Sequence, residues 1–173
     1  MDLKDIPKLT RGGSYQVNVG WDYLEEHLAD QMKYSTLAVL DLNPDFQRGH
    51  VWTREQQIAY VEFKLRGGQG SNTILFNCKG WMNSFEGPYV LVDGKQRITA
   101  VLAFLHDEIP AFGHLYSEFT GKLRMTGADF VFQVNDLKTR AEVLQWYLEL
   151  NSGGTPHTPE EIEKVRQLLI NNT

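Results

Sequence analysis

Cysteine is nearly absent from this sequence: Cys78 is the only one. A lone thiol forms no internal disulfide and no cysteine zinc cluster, which excludes a disulfide scaffold and a zinc ribbon. Cys78 sits in an apolar, strand-like run and is expected to be an inert core residue. Long apolar runs are also missing, and none approaches the ~18–20 residues that span a bilayer. The opening Met1-Asp2-Leu3-Lys4-Asp5 is mixed in charge and has no apolar h-region. No secretory signal is expected there, and a cytoplasmic chain with no membrane partner follows as an expectation. An excess of positive charge is lacking too: 17 Lys and Arg stand against 22 Asp and Glu, a net charge of −5. The overall field of such a chain repels DNA, which counts against a free-standing binder held by charge alone. A nucleotide site needs only a few backbone amides and an arginine, so it is untouched by that argument. The chain contains no GxxxxGK[ST] P-loop, no HExxH, no CxxC and no GxSxG, so Walker-type NTPases, metalloproteases and serine hydrolases find no support.

What is present suits one folded domain. Hydrophobic residues make up 42% of 173 residues, enough for a real core, and 23% charged residues argue against wholesale disorder. No internal repeat or low-complexity tract interrupts the chain. The first 20 residues are polar and glycine-containing and read as an irregular lead-in. Tyr23 to Met32 reads as a short helix, because Leu24, Leu28 and Met32 recur every four residues. We divide the chain into a lead-in with that helix over 1–36 and a domain over 37–173.

Leu37 to Leu42 is a strand candidate closed by the turn Asn43-Pro44-Asp45. Thr53 and Gln56 form a capping box for a helix that runs to about Arg66 and stops at Gly67-Gly68, with Ile58, Val61 and Leu65 as its stripe. Thr73 to Asn77 reads as a strand, Gly80 to Pro88 as a loop and Tyr89 to Asp93 as a strand ending on a carboxylate. Gln96 to Leu105 is a helix with Ile98, Val101, Leu102 and Leu105 on one face. Phe130 to Val134 is a strand, and Lys138 to Leu150 a helix with Ala141, Leu144 and Leu148 inward. The last helix opens at Thr158-Pro159-Glu160-Glu161, with Thr158 as cap, Pro159 as its first residue and Glu161 completing the box. Short strands scattered among helices predict an α+β fold with a small mixed sheet.

The segment Asp93-Gly94-Lys95-Gln96-Arg97 joins a strand to a helix. The first amides of a helix lack partners within it and carry partial positive charge. Gly94 permits a tight turn and close approach of a ligand. An anion is favoured there before any side chain acts. Lys95 adds charge, and Arg97 can grip a phosphate in a forked pair. Asp93 would repel phosphate directly, yet it can hold a Mg2+ that bridges to phosphate oxygens, or orient a nucleophile. The plain alternative is a surface turn with solvated charges.

A second loop-to-helix turn carries Phe46-Gln47-Arg48 and Trp52. Arg48 beside two aromatics can stack on a base or pair with a phosphate; equally, Phe46 and Trp52 can anchor the core while Arg48 meets a carboxylate. His50 reads as a surface group, although one imidazole in a loop can act as acid or base. The loop Asn151-Ser152-Gly153-Gly154-Thr155 offers hydroxyls and amides that suit a nucleotide sugar or phosphate, through Asn151 and Thr155; it also serves as a helix connection. Glu160 and Glu161 read as helix-start residues.

Three pieces, in order, carry a resemblance. Phe46-Gln47-Arg48-Gly49-His50-Val51-Trp52 is similar to an FQR-G-x-x-W segment. Val92-Asp93-Gly94-Lys95-Gln96-Arg97-Ile98-Thr99 is similar to a DGQQR-L-T box. Leu150-Asn151-Ser152-Gly153-Gly154-Thr155-Pro156 with Glu160 and Glu161 is similar to an LN-x-GGTPLTPEE ending. All three belong to the domain family that forms the N-terminal half of GmrSD-type modification-dependent restriction enzymes, within the ParB/sulfiredoxin-like superfamily. The matches span roughly Asn43 to Leu169. The chain departs from the box at Lys95, where the family more often has Gln, and has His157 where the family often has Leu.

The resemblance implies a ParB/sulfiredoxin-like fold with a nucleotide-phosphate site at the Asp-Gly-x-x-Arg box. Members bind or hydrolyse NTPs with Mg2+, transfer phosphate, or reduce a sulfinate. Carried over by residue, it covers Asp93, Gly94, Gln96 and Arg97, and more loosely Gln47 and Arg48. In the restriction enzymes this half is joined to an HNH-type nuclease half, for which no room is expected in this chain.

Three functions are expected to compete. The first is an NTP-dependent phosphohydrolase or phosphotransferase, a kinase acting on DNA or a small hydroxyl compound included. In it Asp93, Arg97 and Arg48 are catalytic, Gly94, Lys95, Gln96, Gln47, Asn151 and Thr155 help bind phosphate or nucleotide, and Asp93 holds Mg2+. The second is a ParB-like DNA nuclease or nickase, which lacks a second metal-ligand cluster in the sequence. The third is a non-catalytic module that binds a nucleotide or a protein partner in a restriction or phage conflict.

Overall fold

A computed structural model of the chain describes residues 5, 6, 9–13, 15–34, 37, 39–47, 49, 51–81, 83–151 and 159–172. Among them five strands form one mixed sheet: β1 (Tyr15–Gly20), β2 (Leu40–Asp41), β3 (Thr73–Cys78), β4 (Tyr89–Asp93) and β5 (Asp129–Asn135). Their order across the sheet is β1-β5-β3-β4-β2. β1 runs antiparallel to β5, β5 parallel to β3, β3 antiparallel to β4, and β4 parallel to β2. Five α-helices accompany the sheet: α1 (Leu24–Tyr34), α2 (Arg54–Leu65), α3 (Lys95–Leu105), α4 (Arg140–Asn151) and α5 (Pro159–Ile170). The expected α+β class with a small mixed sheet is what is found.

Side chains alternate across a strand, so a strand covered on both faces serves two cores, as β3 and β4 do. On one face Ile74 and Phe76 of β3, Tyr89 and Leu91 of β4, and Phe130 and Phe132 of β5 pack against α1, α2 and α3. On the other face Leu75 and Val92 meet Phe46 of the turn after β2, Trp146 and Tyr147 of α4, and Val165 of α5. Helices therefore cover both faces of the sheet. Of the three interior strands, β3 and β4 consequently bury consecutive residues, while β5 alternates. Buried Asn77 is matched: it donates to Leu137 O and accepts from Leu137 N, which pins the chain leaving β5.

Several elements follow the sequence closely. The α2 cap is a full box, with Gln56 N donating to Thr53 Oγ1 and Thr53 N to Gln56 Oε1. β4 has the expected bounds, and α3 begins one residue earlier than expected, at Lys95. Cys78 is buried, and desolvation pushes its thiol up, so it is a poor nucleophile.

Other expectations are corrected. The supposed lead-in is part of the domain: β1 pairs along its whole length with β5, and Val19, Trp21, Leu24 and Leu28 are buried in the main core. The strand expected over 37–42 shrinks to Leu40–Asp41, which pair with Tyr89 and Val90 at the sheet edge. In α4 the buried face is Val143, Leu144, Trp146 and Tyr147. Ala141 of the expected stripe is only half-buried, since the two large rings claim the space between sheet and α5. The start of α4 also carries a capping box that sequence reading passed over: Glu142 N donates to Thr139 Oγ1, and Glu142 Oε2 accepts from Thr139 N. That contact holds the Glu142 carboxyl below its ordinary range. Thr158, the expected cap of α5, lies outside the described residues.

Candidate functional site

β4 delivers Asp93 to the end of the sheet, and the chain reverses at Gly94 into α3. Gly94 has φ 105° and ψ 8°, a left-handed conformation that side chains resist. A Cβ placed there would stand 2.4 Å from Ile74 Cδ1. Glycine is thus required twice, by dihedral and by space. With no side chain to offer, Gly94 leaves the start of α3 without a side-chain cap. The 11-residue helix points its positive end into a cleft there. Gly94→Ala is expected to lower stability by about 1–3 kcal/mol, the cost of a strained backbone residue, read from the urea midpoint. A midpoint equal to wild type would show that the turn relaxes freely.

The cleft encloses about 440 Å3, within the size range of small-molecule sites. Its polar wall is the box itself, Asp93 through Arg97. Arg97 Nη2 donates to Asp93 Oδ2 at 2.6 Å, one turn apart on the chain. The arginine is 18% exposed and the carboxylate 48%, so the pair sits at the cleft lip with the guanidinium inward. A guanidinium has five N–H donors. The bond to Asp93 fixes its plane and leaves most of its fork for an incoming anion.

Facing this wall are aromatic groups. Trp52, just before α2, packs on Tyr60 with ring centroids 5.3 Å apart. Tyr60 donates its hydroxyl to Ser71 O at 2.7 Å, and burial pushes its phenol well up, with the Arg97 charge acting in the opposite sense. It therefore lines the cleft as a neutral phenol. Tyr147, Leu150 and Asn151 of α4 complete the far side.

Gln96 and Gln47 also line the cleft, and both build its frame. Gln96 Oε1 accepts from Val51 N and Trp52 N, each at 3.1 Å, while Gln96 Nε2 donates to Gly49 O at 3.2 Å. One carboxamide thus ties the loop before α2 to the first turn of α3. Gln47 Nε2 donates to Leu91 O at 2.7 Å, fixing the same segment on β4. Upstream, Asp45 receives both short contacts from Arg140 Nη2, at 2.6 and 2.7 Å, joining the turn to α4. Phe46 is buried against Tyr147, so of the two readings of this segment the core anchor holds for Phe46.

The structure brings together Asp93, Gly94, Lys95, Gln96, Arg97, Gln47 and Asn151 around one cleft. Asn151 Nδ2 donates to Tyr147 O, which closes the end of α4. Arg48, His50 and Thr155, with the rest of 152–158, lie outside the described residues. Tyr60 and Tyr147 are the liners that sequence reading missed. Tyr147 carried a faint signal, one turn before Asn151; Tyr60 carried none. Among the described residues no group of three His, Cys, Asp or Glu side chains is placed to hold a metal ion. No described helix is long and apolar enough to cross a membrane. No protein-family model, no curated protein and no solved structure matches this chain.

Proposed function

We propose that the cleft binds a nucleoside triphosphate with Mg2+ and that the protein is a phosphohydrolase or phosphotransferase. One observation carries this reading: an uncapped helix start, a glycine turn and an inward guanidinium converge on one cleft that also has aromatic walls. The first three favour phosphate, and aromatic faces favour a base. The resemblance to the DGQQR-box family, ParB/sulfiredoxin-like in fold, supports the same assignment.

In this reading the amides of Lys95 and Gln96 and the Arg97 fork hold the phosphates. Asp93, exposed at the lip, fits a role as one oxygen ligand of Mg2+, with phosphate oxygens and water supplying the others, as is usual for that ion. Such catalysis is mainly positioning and charge stabilisation. The framing bonds of Gln96 and Gln47 keep the Trp52 segment in place beside the phosphates.

The test is a thermal-shift screen of the four NTPs, with and without Mg2+, followed by phosphate release or transfer to a hydroxyl acceptor. Ligand that binds only the native state raises the melting temperature. Asp93→Ala sharpens the test. Removing the carboxylate takes away repulsion, so the variant should bind NTP without Mg2+ at least as well as wild type. It should gain nothing when Mg2+ is added, and turnover should vanish. Normal Mg2+-dependent turnover in Asp93→Ala would remove Asp93 from the mechanism. No shift with any NTP would overturn the proposal, and DNA or a protein partner would then become the ligand to test.

A further inference from the structure

A second cavity, of about 480 Å3, lies at the other end of the α2 and α3 pair, where Leu65 and Phe104 line it near the helix ends. Its floor is Phe104, fully buried, with Tyr116 edge-on to it at 5.3 Å and Phe119 edge-on at 6.0 Å. Phe112 and Phe119 stay 44% and 41% exposed at its margin. Two half-exposed rings thus line one cavity.

The placement of Phe112 is held, not incidental. Its φ is 52°, a left-handed value that is a genuine outlier for a bulky side chain. With Gly113 at φ 80° it forms the tip of a tight turn closed by Ala111 N to His114 O and His114 N to Ala111 O. Glu62 of α2 accepts the Phe112 amide at 2.7 Å and clamps that tip. Strain that the surroundings enforce marks positions where a side chain must be presented in one place.

Charge at the mouth is one-sided. Lys122 lines the cavity and makes no ion pair among the described residues, in a chain of net charge −5. Asp107, which accepts from Ser117 N, and Glu118, which accepts from Leu115 N and faces His114, do not line the cavity. Aromatic walls, a small volume and one uncompensated cation define the ligand chemistry. We propose that this cavity is a second small-molecule site, separate from the Asp93–Arg97 cleft, and that it takes a planar aromatic anion. The rings enclose the flat apolar part, and Lys122 meets the anionic group.

The test uses 8-anilinonaphthalene-1-sulfonate with folded protein well below its melting temperature. Wild type should give a saturable, single-site fluorescence rise. Lys122→Glu, an exposed change, should weaken that binding at least about threefold, since charge reversal replaces an attraction to the anion with a repulsion. Binding of the neutral N-phenyl-1-naphthylamine should be unchanged in Lys122→Glu. Thr120→Trp, which places an indole at the cavity wall, should remove binding of both dyes. Arg97→Ala should leave both intact, so failure of the nucleotide reading and failure of this one are told apart. No saturable signal, a signal unaffected by both Lys122→Glu and Thr120→Trp, or one lost in Arg97→Ala would overturn the proposal.

Discussion

Arg97→Ala is expected to erase the rise in melting temperature that a nucleotide produces, while the unliganded protein stays folded. The two effects separate because of where the side chain sits. Its carboxylate partner is half exposed, so the ion pair is largely screened and its loss costs on the order of 1 kcal/mol or less. Ligand binding is different. At a nucleotide concentration about a hundred times Kd, wild type gains roughly 2.7 kcal/mol by mass action, and a variant that no longer binds gains none. Arg97→Lys should fall between the two, since it keeps the charge and loses the planar fork. A full nucleotide shift in Arg97→Ala would mean that the guanidinium does not touch the ligand.

Phe76→Ala should have the largest effect on the fold itself, a loss of about 3–5 kcal/mol read from the urea midpoint. Domains of this size hold only about 5–15 kcal/mol in all. Phe76 is fully buried on β3, the strand between β5 and β4. It stacks on Tyr89 at 4.5 Å and an interplanar angle of 17°, and leans on Phe132 at 5.2 Å. Truncation therefore opens a hole between three strands at once, where no neighbour can collapse without breaking the ladder. Ile170→Ala, at an exposed position near the end of α5, should change stability by no more than about 0.5 kcal/mol. A small effect from Phe76→Ala would mean that the sheet does not carry the core.

How much of this was legible in the sequence depended on distance along the chain. The strand–glycine–helix passage at Asp93 to Arg97 was readable because turn and helix start are local events. So was the Thr53–Gln56 box. β1 was missed although Val17 and Val19 alternate with Gln16 and Asn18, because the glycines around it read as loop. What turns that segment into a strand is β5, more than a hundred residues later. The shortness of β2 is likewise a property of its neighbour. Gln96 looked like a ligand to phosphate because it stands in the box. Its bonds to Gly49, Val51 and Trp52 cross 44 to 47 positions, and no local pattern announces them. Tyr60 of α2 and Tyr147 of α4 were hidden for the same reason: only the fold sets those rings opposite the box.

The Gln96 clasp makes two separate stretches of chain into one unit of order. The Val51 and Trp52 amides share a single acceptor oxygen, and that oxygen belongs to the first turn of α3. Neither proton can exchange with solvent deuterium from the closed state unless the clasp lets go, so both report the opening of the cleft on its aromatic side. A bound nucleotide that fastens the start of α3 would slow the two together, although neither amide need touch it.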